Sequence, residues 1–157
     1  MEGAMSMRRM TPFLWFQGSV GEAMDLYCSV LPSARVVSTM PGPDGKVMSA
    51  TFELDGNQFI AYGGGPHLQL TPAVSICINC ETQAEIDQIW EKLTEGGTES
   101  RCGWLVDRFG LSWQVIPSVL PALMGDADRE KAGRTLQAML QMKKFDIAAL
   151  ERAHAGP

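Results

Sequence analysis

The stretch CGWLVDRFGLSWQVIP, Cys102 to Pro117, reads as two strands joined by a tight turn at Asp107-Arg108-Phe109-Gly110. Its second strand carries one polar residue, Gln114, between Trp113 and Val115. Upstream, Gly96-Gly97 reads as the C-cap of a helix, and Thr98–Cys102 as one more strand. That helix shows an apolar stripe, Ile86, Ile89, Trp90 and Leu93, at i, i+3, i+4 and i+7. This is the spacing with which a helix docks on a sheet. Before it, AVSICINC (Ala73–Cys80) is strand-like. The order from residue 73 to residue 116 is therefore β-α-β-β-β.

The same order occurs earlier in the chain. TPFLWFQG (Thr11–Gly18) leads into a helical segment with Ala23, Leu26, Tyr27 and Val30, each 63 residues before its counterpart in the later stripe. Strands are expected at Ala34–Met40, Val47–Leu54 and Gln58–Tyr62, parted by turns at Pro41–Gly45 and Asp55-Gly56. A matched stripe after a matched strand implies two copies of one unit. The expected layout is a leader at residues 1–8, a first module at 9–66, a second at 67–117 and a tail at 118–157. The tail predicts helices over Asp126–Met142 and Asp146–Ala153. Asp126 is the expected N-cap of the first, and Leu136, Met139, Leu140 and Met142 its apolar side. The tail either closes the core or meets a partner subunit.

The bulk numbers exclude several classes. A net charge of −5 argues against nucleic acid as a partner. Every apolar run is too short for a membrane span, and no secretory signal opens the chain, so a cytoplasmic location is expected. Cys77 and Cys80 form a CxxC, but residues three apart on a strand point to opposite faces. The pair therefore predicts neither a zinc knuckle nor a redox couple. Gly63–Gly65 follows a strand but runs into Pro66-His67 rather than a helix, which speaks against a phosphate loop.

Strand alternation divides the faces. Val74, Ile76, Ile78 and Cys80 should pack under the second helix, as should Leu111, Trp113 and Val115. Equating Gly56 with Gly110 equates Ile60 with Gln114. The opposite faces then carry Phe13, Trp15, Ile60, Tyr62, Ser75, Cys77, Ser112 and Gln114, the candidate ligand-binding residues. Mostly apolar and aromatic walls with a few polar groups suit a small organic molecule.

TPFLWFQG, GPH, DQIWEKL, CGWLVDRFGLSWQVIP and MLQMKKFDIAAL together resemble the PhnB-like branch of the vicinal-oxygen-chelate superfamily. This is the glyoxalase and bleomycin-resistance fold, with sequences sometimes labelled as a demethylubiquinone methyltransferase. The resemblance implies an α+β fold of two βαβββ modules, making a cupped, mixed, mostly antiparallel sheet with C-terminal helices. It also implies a homodimer. Metal-dependent relatives would place ligands at Thr11 or Phe13, Ile60, Ala73 or Ser75, and Gln114. Only Gln114 offers a usual oxygen, whereas divalent ions favour carboxylate and imidazole. No cofactor is therefore expected and a divalent metal is disfavoured. His67 is the one candidate general base. The expected function is metal-free binding of a small organic ligand. The alternatives are a metal-dependent glyoxalase-type lyase, isomerase or dioxygenase, and a non-catalytic dimeric interaction protein.

Overall fold

The computed structural model describes residues 8–157. All of the expected leader except Arg8 lies outside the described residues. The chain divides into two compact units, one ending at Leu70 and one spanning Thr71–Pro157.

The first unit contains β1 (Phe13–Phe16), α1 (Gly21–Val30), β2 (Arg35–Pro41), β3 (Val47–Leu54) and β4 (Asn57–Gly63). Its sheet order is β1-β4-β3-β2. The β1–β4 pairing is parallel, and the other two are antiparallel. The second unit repeats this with β5 (Ser75–Cys80), α2 (Gln83–Thr94), β6 (Thr98–Glu99), β7 (Trp104–Val106) and β8 (Ser112–Pro117), in the order β5-β8-β7-β6. It then adds α3 (Leu120–Met124), α4 (Arg129–Leu140) and α5 (Ile147–Ala155). The expected α+β architecture of two βαβββ modules with C-terminal helices is the one observed.

Both helical stripes are buried: Ala23, Leu26, Tyr27 and Val30 on α1, and Ile86, Ile89, Trp90 and Leu93 on α2. Leu14, Phe16, Phe52 and Phe59 line the first core, and Leu105, Trp113 and Val115 the second. Each large side chain so buried stabilises the fold by about 1.5–3 kcal/mol. A capping box starts α2. Thr82 accepts from the Glu85 N–H, and the Glu85 carboxylate accepts from the Thr82 N–H. Such a cap contributes about 1 kcal/mol.

The two β-hairpins differ by one turn residue. Asp55-Gly56 makes a two-residue loop with both φ angles positive, at 48° and 74°. The later turn is tied by Gly110 N–H to Asp107 O and Asp107 N–H to Leu111 O, with Gly110 at φ 90°. A three-residue loop of this kind needs glycine at its left-handed position.

Some elements depart from expectation. Val74 is 62% exposed, because it lies in a turn bonded to Thr71 O before β5 begins, not under α2. The strand expected over Thr98–Cys102 ends at Glu99, and Cys102 adopts φ 55° in the turn that follows. The N-cap of α4 is Asp128, not Asp126. Asp128 accepts from the Glu130 and Lys131 N–H groups, while Asp126 bonds Asp128 N–H and His154. The expected apolar side of α4 is also displaced. Ala132 and Thr135 are buried, whereas Leu136 and Leu140 are exposed.

The tail docks on its own unit. Cys102 and Gly103 donate to Met142 O and Lys143 O at 2.9 and 2.8 Å. A Cβ on Gly103 would collide with Phe145, which is buried. Gln83 of α2 holds the tail through both ends of its amide: Nε2 donates to Phe145 O, and Oε1 accepts from Ile147 N–H. That contact orients the start of α5, whose Leu150 is fully buried.

Candidate functional site

Four predicted residues lie in the first unit. Phe13 and Trp15 alternate with buried Leu14 and Phe16, so both project from the side of β1 away from α1. The parallel register sets Phe13 beside Ile60 and Trp15 beside Tyr62. Tyr62 lies between the two β1 rings, with centroids 5.7 Å from Phe13 and 5.2 Å from Trp15. His67 meets the Trp15 ring edge-on at 5.0 Å. These are tilted and T-shaped geometries that the aromatic quadrupole favours. Phe13 remains 56% exposed, so the cluster is a surface and not a closed core. Sequence reasoning missed the contribution of β3, which places Thr51 opposite Ile60 and Ser49 opposite Tyr62.

The triple glycine seats this cluster. A Cβ on Gly64 would overlap the Trp15 indole, and one on Gly63 would overlap Gly18 O. The indole Nε1–H donates to Gly65 O at 3.0 Å. The segment is therefore a bed for a tryptophan, which satisfies its polar tip, and no helix follows it. His67 is exposed, and among the described residues no carboxylate pairs with it. The orienting acid that a histidine base ordinarily uses is not beside it.

The other four predicted residues lie in the second unit. Ser75 pairs with Ser112 and Cys77 with Gln114 along β5–β8. Gln114 Nε2 donates to Ser75 Oγ at 2.9 Å. Ser112 is buried, and its hydroxyl has no hydrogen-bond partner among the described residues. Here too an adjoining strand was missed: β7 sets Trp104 opposite Gln114 and Val106 opposite Ser112. The alternation of both around buried Leu105 was the available signal. Cys77 is exposed and Cys80 buried, so the CxxC thiols do face opposite ways. Burial, then the Glu85 charge and Cys77, push the Cys80 thiol up to about 11. Desolvation raises Cys77 as well.

The donor set is a poor match for a resident divalent ion. The positions at which metal-dependent relatives would place ligands hold Thr11 or Phe13 and Ile60 in one unit, and Ala73 or Ser75 and Gln114 in the other. Gln114 already donates through its amide to Ser75. Among the described residues no three His, Cys, Asp or Glu side chains come together as a metal site. Neutral amides and hydroxyls alone bind such ions weakly.

Two βαβββ units, each with its last strand parallel to its first, define a protein of the vicinal-oxygen-chelate superfamily, the glyoxalase and bleomycin-resistance class. Within it, residues 8–116 match the model of the family described as 3-demethylubiquinone-9 3-methyltransferase, and the chain belongs to that PhnB-like family. A structure described as a putative 3-demethylubiquinone-9 3-methyltransferase, PhnB protein, from Bacillus cereus is 32% identical with a TM-score of 0.66. The match covers 71% of this chain and 100% of that one. Protein PA1353 from Pseudomonas aeruginosa is 23% identical, TM-score 0.57, over 70% and 97% of the two chains. The fosfomycin resistance protein FosX from Listeria monocytogenes, solved with Mn(II) and a sulfate ion, shares the fold at 13% identity and TM-score 0.53. That match covers 71% of this chain and 92% of the other. No curated protein matches the chain significantly. Among the described residues no helix is long and apolar enough to cross a membrane.

Proposed function

We propose that this PhnB-like protein binds a small organic ligand without a resident metal. The candidate contacts are Phe13, Trp15, Ile60 and Tyr62 on the first unit and Ser75, Cys77, Ser112 and Gln114 on the second, each face taken by itself. The observation that carries this reading is the contrast between donors and rings. At the positions where the resemblance places the ligands of metal-dependent relatives stand Thr11 or Phe13, Ile60, Ala73 or Ser75, and Gln114. On the same face of the first unit's sheet as Phe13 and Ile60 lies an aromatic cluster with its indole N–H satisfied and Phe13 exposed. Aromatic walls with few polar groups favour an organic molecule over an ion.

The test is metal content of protein purified without chelator, followed by melting with added Mn(II) and Zn(II) and with a library of small organic compounds. Ligand binding raises the melting point by mass action. The expected result is no bound ion, no shift with either ion, and upward shifts with aromatic compounds. About one ion per chain, with a melting shift on adding it back, refutes the proposal and favours a glyoxalase-type enzyme.

A further inference from the structure

Residues Gly64 to His67 meet the Trp15 indole in three successive contacts. Gly64 packs so closely on the benzo edge that a Cβ there would overlap it, Gly65 O accepts the Nε1–H at 3.0 Å, and the His67 imidazole makes a T-shaped contact at 5.0 Å. We infer that this segment is a flap whose His67 ring holds the place of an aromatic ligand ring on Trp15, so that a ligand reaches Trp15 by displacing His67. The inference rests on the ligand-binding reading above and adds a control to it.

Of the groups around Trp15, His67 is the one free to give way. Tyr62 is held beside Trp15 by the parallel register of β1 with β4. Gly64 is held by its N–H, which donates to Phe16 O at 2.9 Å and continues that ladder. From Gly65 to Leu70 the chain makes no backbone–backbone hydrogen bond among the described residues. Pro66, His67 and Leu68 are exposed. Beyond Gly64, the flap is tied to β1 by the Gly65 bond and the His67 ring contact. Exposed backbone with so few bonds opens locally at little cost. A hinge stands where the flap begins: Gly65 has φ 96° and follows Gly63 and Gly64, and glycine turns in either sense without strain.

The contact that His67 makes is one that any aromatic ring can make. T-shaped pairing follows from the ring quadrupoles and not from the imidazole nitrogens. His67 is therefore a tethered competitor, and the affinity of a ligand for Trp15 is reduced by the fraction of molecules in which the flap is closed. The strength of such a ring pair sets the size of that reduction at roughly two- to tenfold. The sign is the distinguishing feature. Removing a residue that touches the ligand weakens binding, whereas removing one that occupies the ligand's place strengthens it.

The test titrates the full chain, ¹⁵N-labelled, with 2-naphthol and follows the Trp15 indole and Tyr62 amide signals, the first identified by Trp15→Phe. His67 is exposed, so its variants should fold as the parent does. His67→Ala is expected to bind the probe roughly two- to tenfold more tightly than the parent. His67→Phe keeps a ring on the flap and should bind no more tightly than the parent. Without probe, His67→Ala should move the Trp15 indole signal, because it removes a ring 5.0 Å away. An unmoved signal shows that the ring does not rest on Trp15, and overturns the inference. Equal or weaker binding by His67→Ala means that His67 is not displaced; the inference then falls and the ligand-binding proposal stands. Tighter binding by His67→Phe as well shows that the ring is not what competes, with the same consequence. If the probe moves neither signal in any of the three proteins, both proposals fall.

Discussion

Replacing Asp107 by alanine should destabilise the second unit by roughly 3–5 kcal/mol. Asp107 is 3% exposed and accepts at least three hydrogen bonds. Its Oδ1 takes the Phe109 N–H at 2.8 Å and the Leu111 N–H at 3.1 Å. Its Oδ2 takes the Trp113 indole N–H at 2.8 Å. One carboxylate thus fixes both the turn and the largest fully buried side chain of the core. In the alanine variant the half-buried Phe109 N–H finds water. The Leu111 and Trp113 donors are buried, and each loses its acceptor at a cost of about 1–3 kcal/mol. Loss of charge assistance in all three bonds adds to that.

The assay is urea unfolding followed by tryptophan fluorescence, with the melting temperature as a second readout. At about 2–4 °C per kcal/mol for a chain of this size, the melting point should fall by roughly 10 °C. Asp107→Asn keeps one acceptor oxygen and should lose less than half as much. A double-mutant cycle with Trp113→Phe should give a coupling of roughly 1.5–3 kcal/mol, the range for a bond to an ionised group. Asp107→Ala within about 1 kcal/mol of the parent, or Asn more damaging than Ala, refutes the reasoning.

Gly64→Ala places a methyl where the Trp15 indole lies, so it should cost about 1–3 kcal/mol and shift tryptophan emission; unchanged emission and stability would contradict the packing. Gln83→Ala removes the amide that holds Phe145 O and Ile147 N–H, at a cost of about 1–3 kcal/mol. Hydrogen exchange at Ile147 should quicken in that variant, and unaltered exchange would show that the tail is held by packing alone. The Asp128 N–H, and then His154, hold the Asp126 carboxyl below its ordinary 3.8. A depressed carboxylate stabilises the fold above its unfolded pKa, and the contribution disappears as pH falls through the lowered value. Carboxyl NMR should therefore show Asp126 titrating below 3.8, with Asp126→Asn flattening that part of the acid limb; titration at or above 3.8 would disprove it.

The repeated module was legible because its signals are local. Both stripes and both turn glycines stand in the sequence, and helices and β-hairpins follow from them within a few residues. The tail was less legible. Leu136 and Leu140 look like a core stripe, yet α4 buries Ala132 and Thr135, because its packing partners are α5 and α3 of the tail itself, whose placement no local pattern gives. The N-cap was misplaced by two residues for a related reason. Asp126 and Asp128 are chemically alike, and His154 at the far end of α5 engages the first of them. The capping box at Thr82 and Glu85 was visible as T-x-x-E and went unread.

For the candidate site, strand alternation separated projecting from buried residues on β1, β4 and β5, whereas Ser112 on β8, expected to project, is buried. Alternation could not show which strands lie next to one another. Ser49 and Thr51 belong to the first unit's face through antiparallel pairing with β4, and Trp104 and Val106 to the second unit's through pairing with β8; alternation marks Trp104 and Val106 as projecting, but not the strand they lie beside. Backbone register sets Cys77 beside Gln114, whereas the Gln114 side chain reaches Ser75, one of the positions at which the resemblance places a metal ligand. A Cys77 thiolate on the same face would be a strong soft donor. Desolvation raises the Cys77 thiol, which disfavours that anion, and the neutral Gln114 amide beside it is already bonded to Ser75. Phe13 and Ile60 offer no donor atom in the first unit, and Ser75 and Gln114 offer only neutral oxygens in the second; the proposal of a metal-free organic ligand rests on that chemistry.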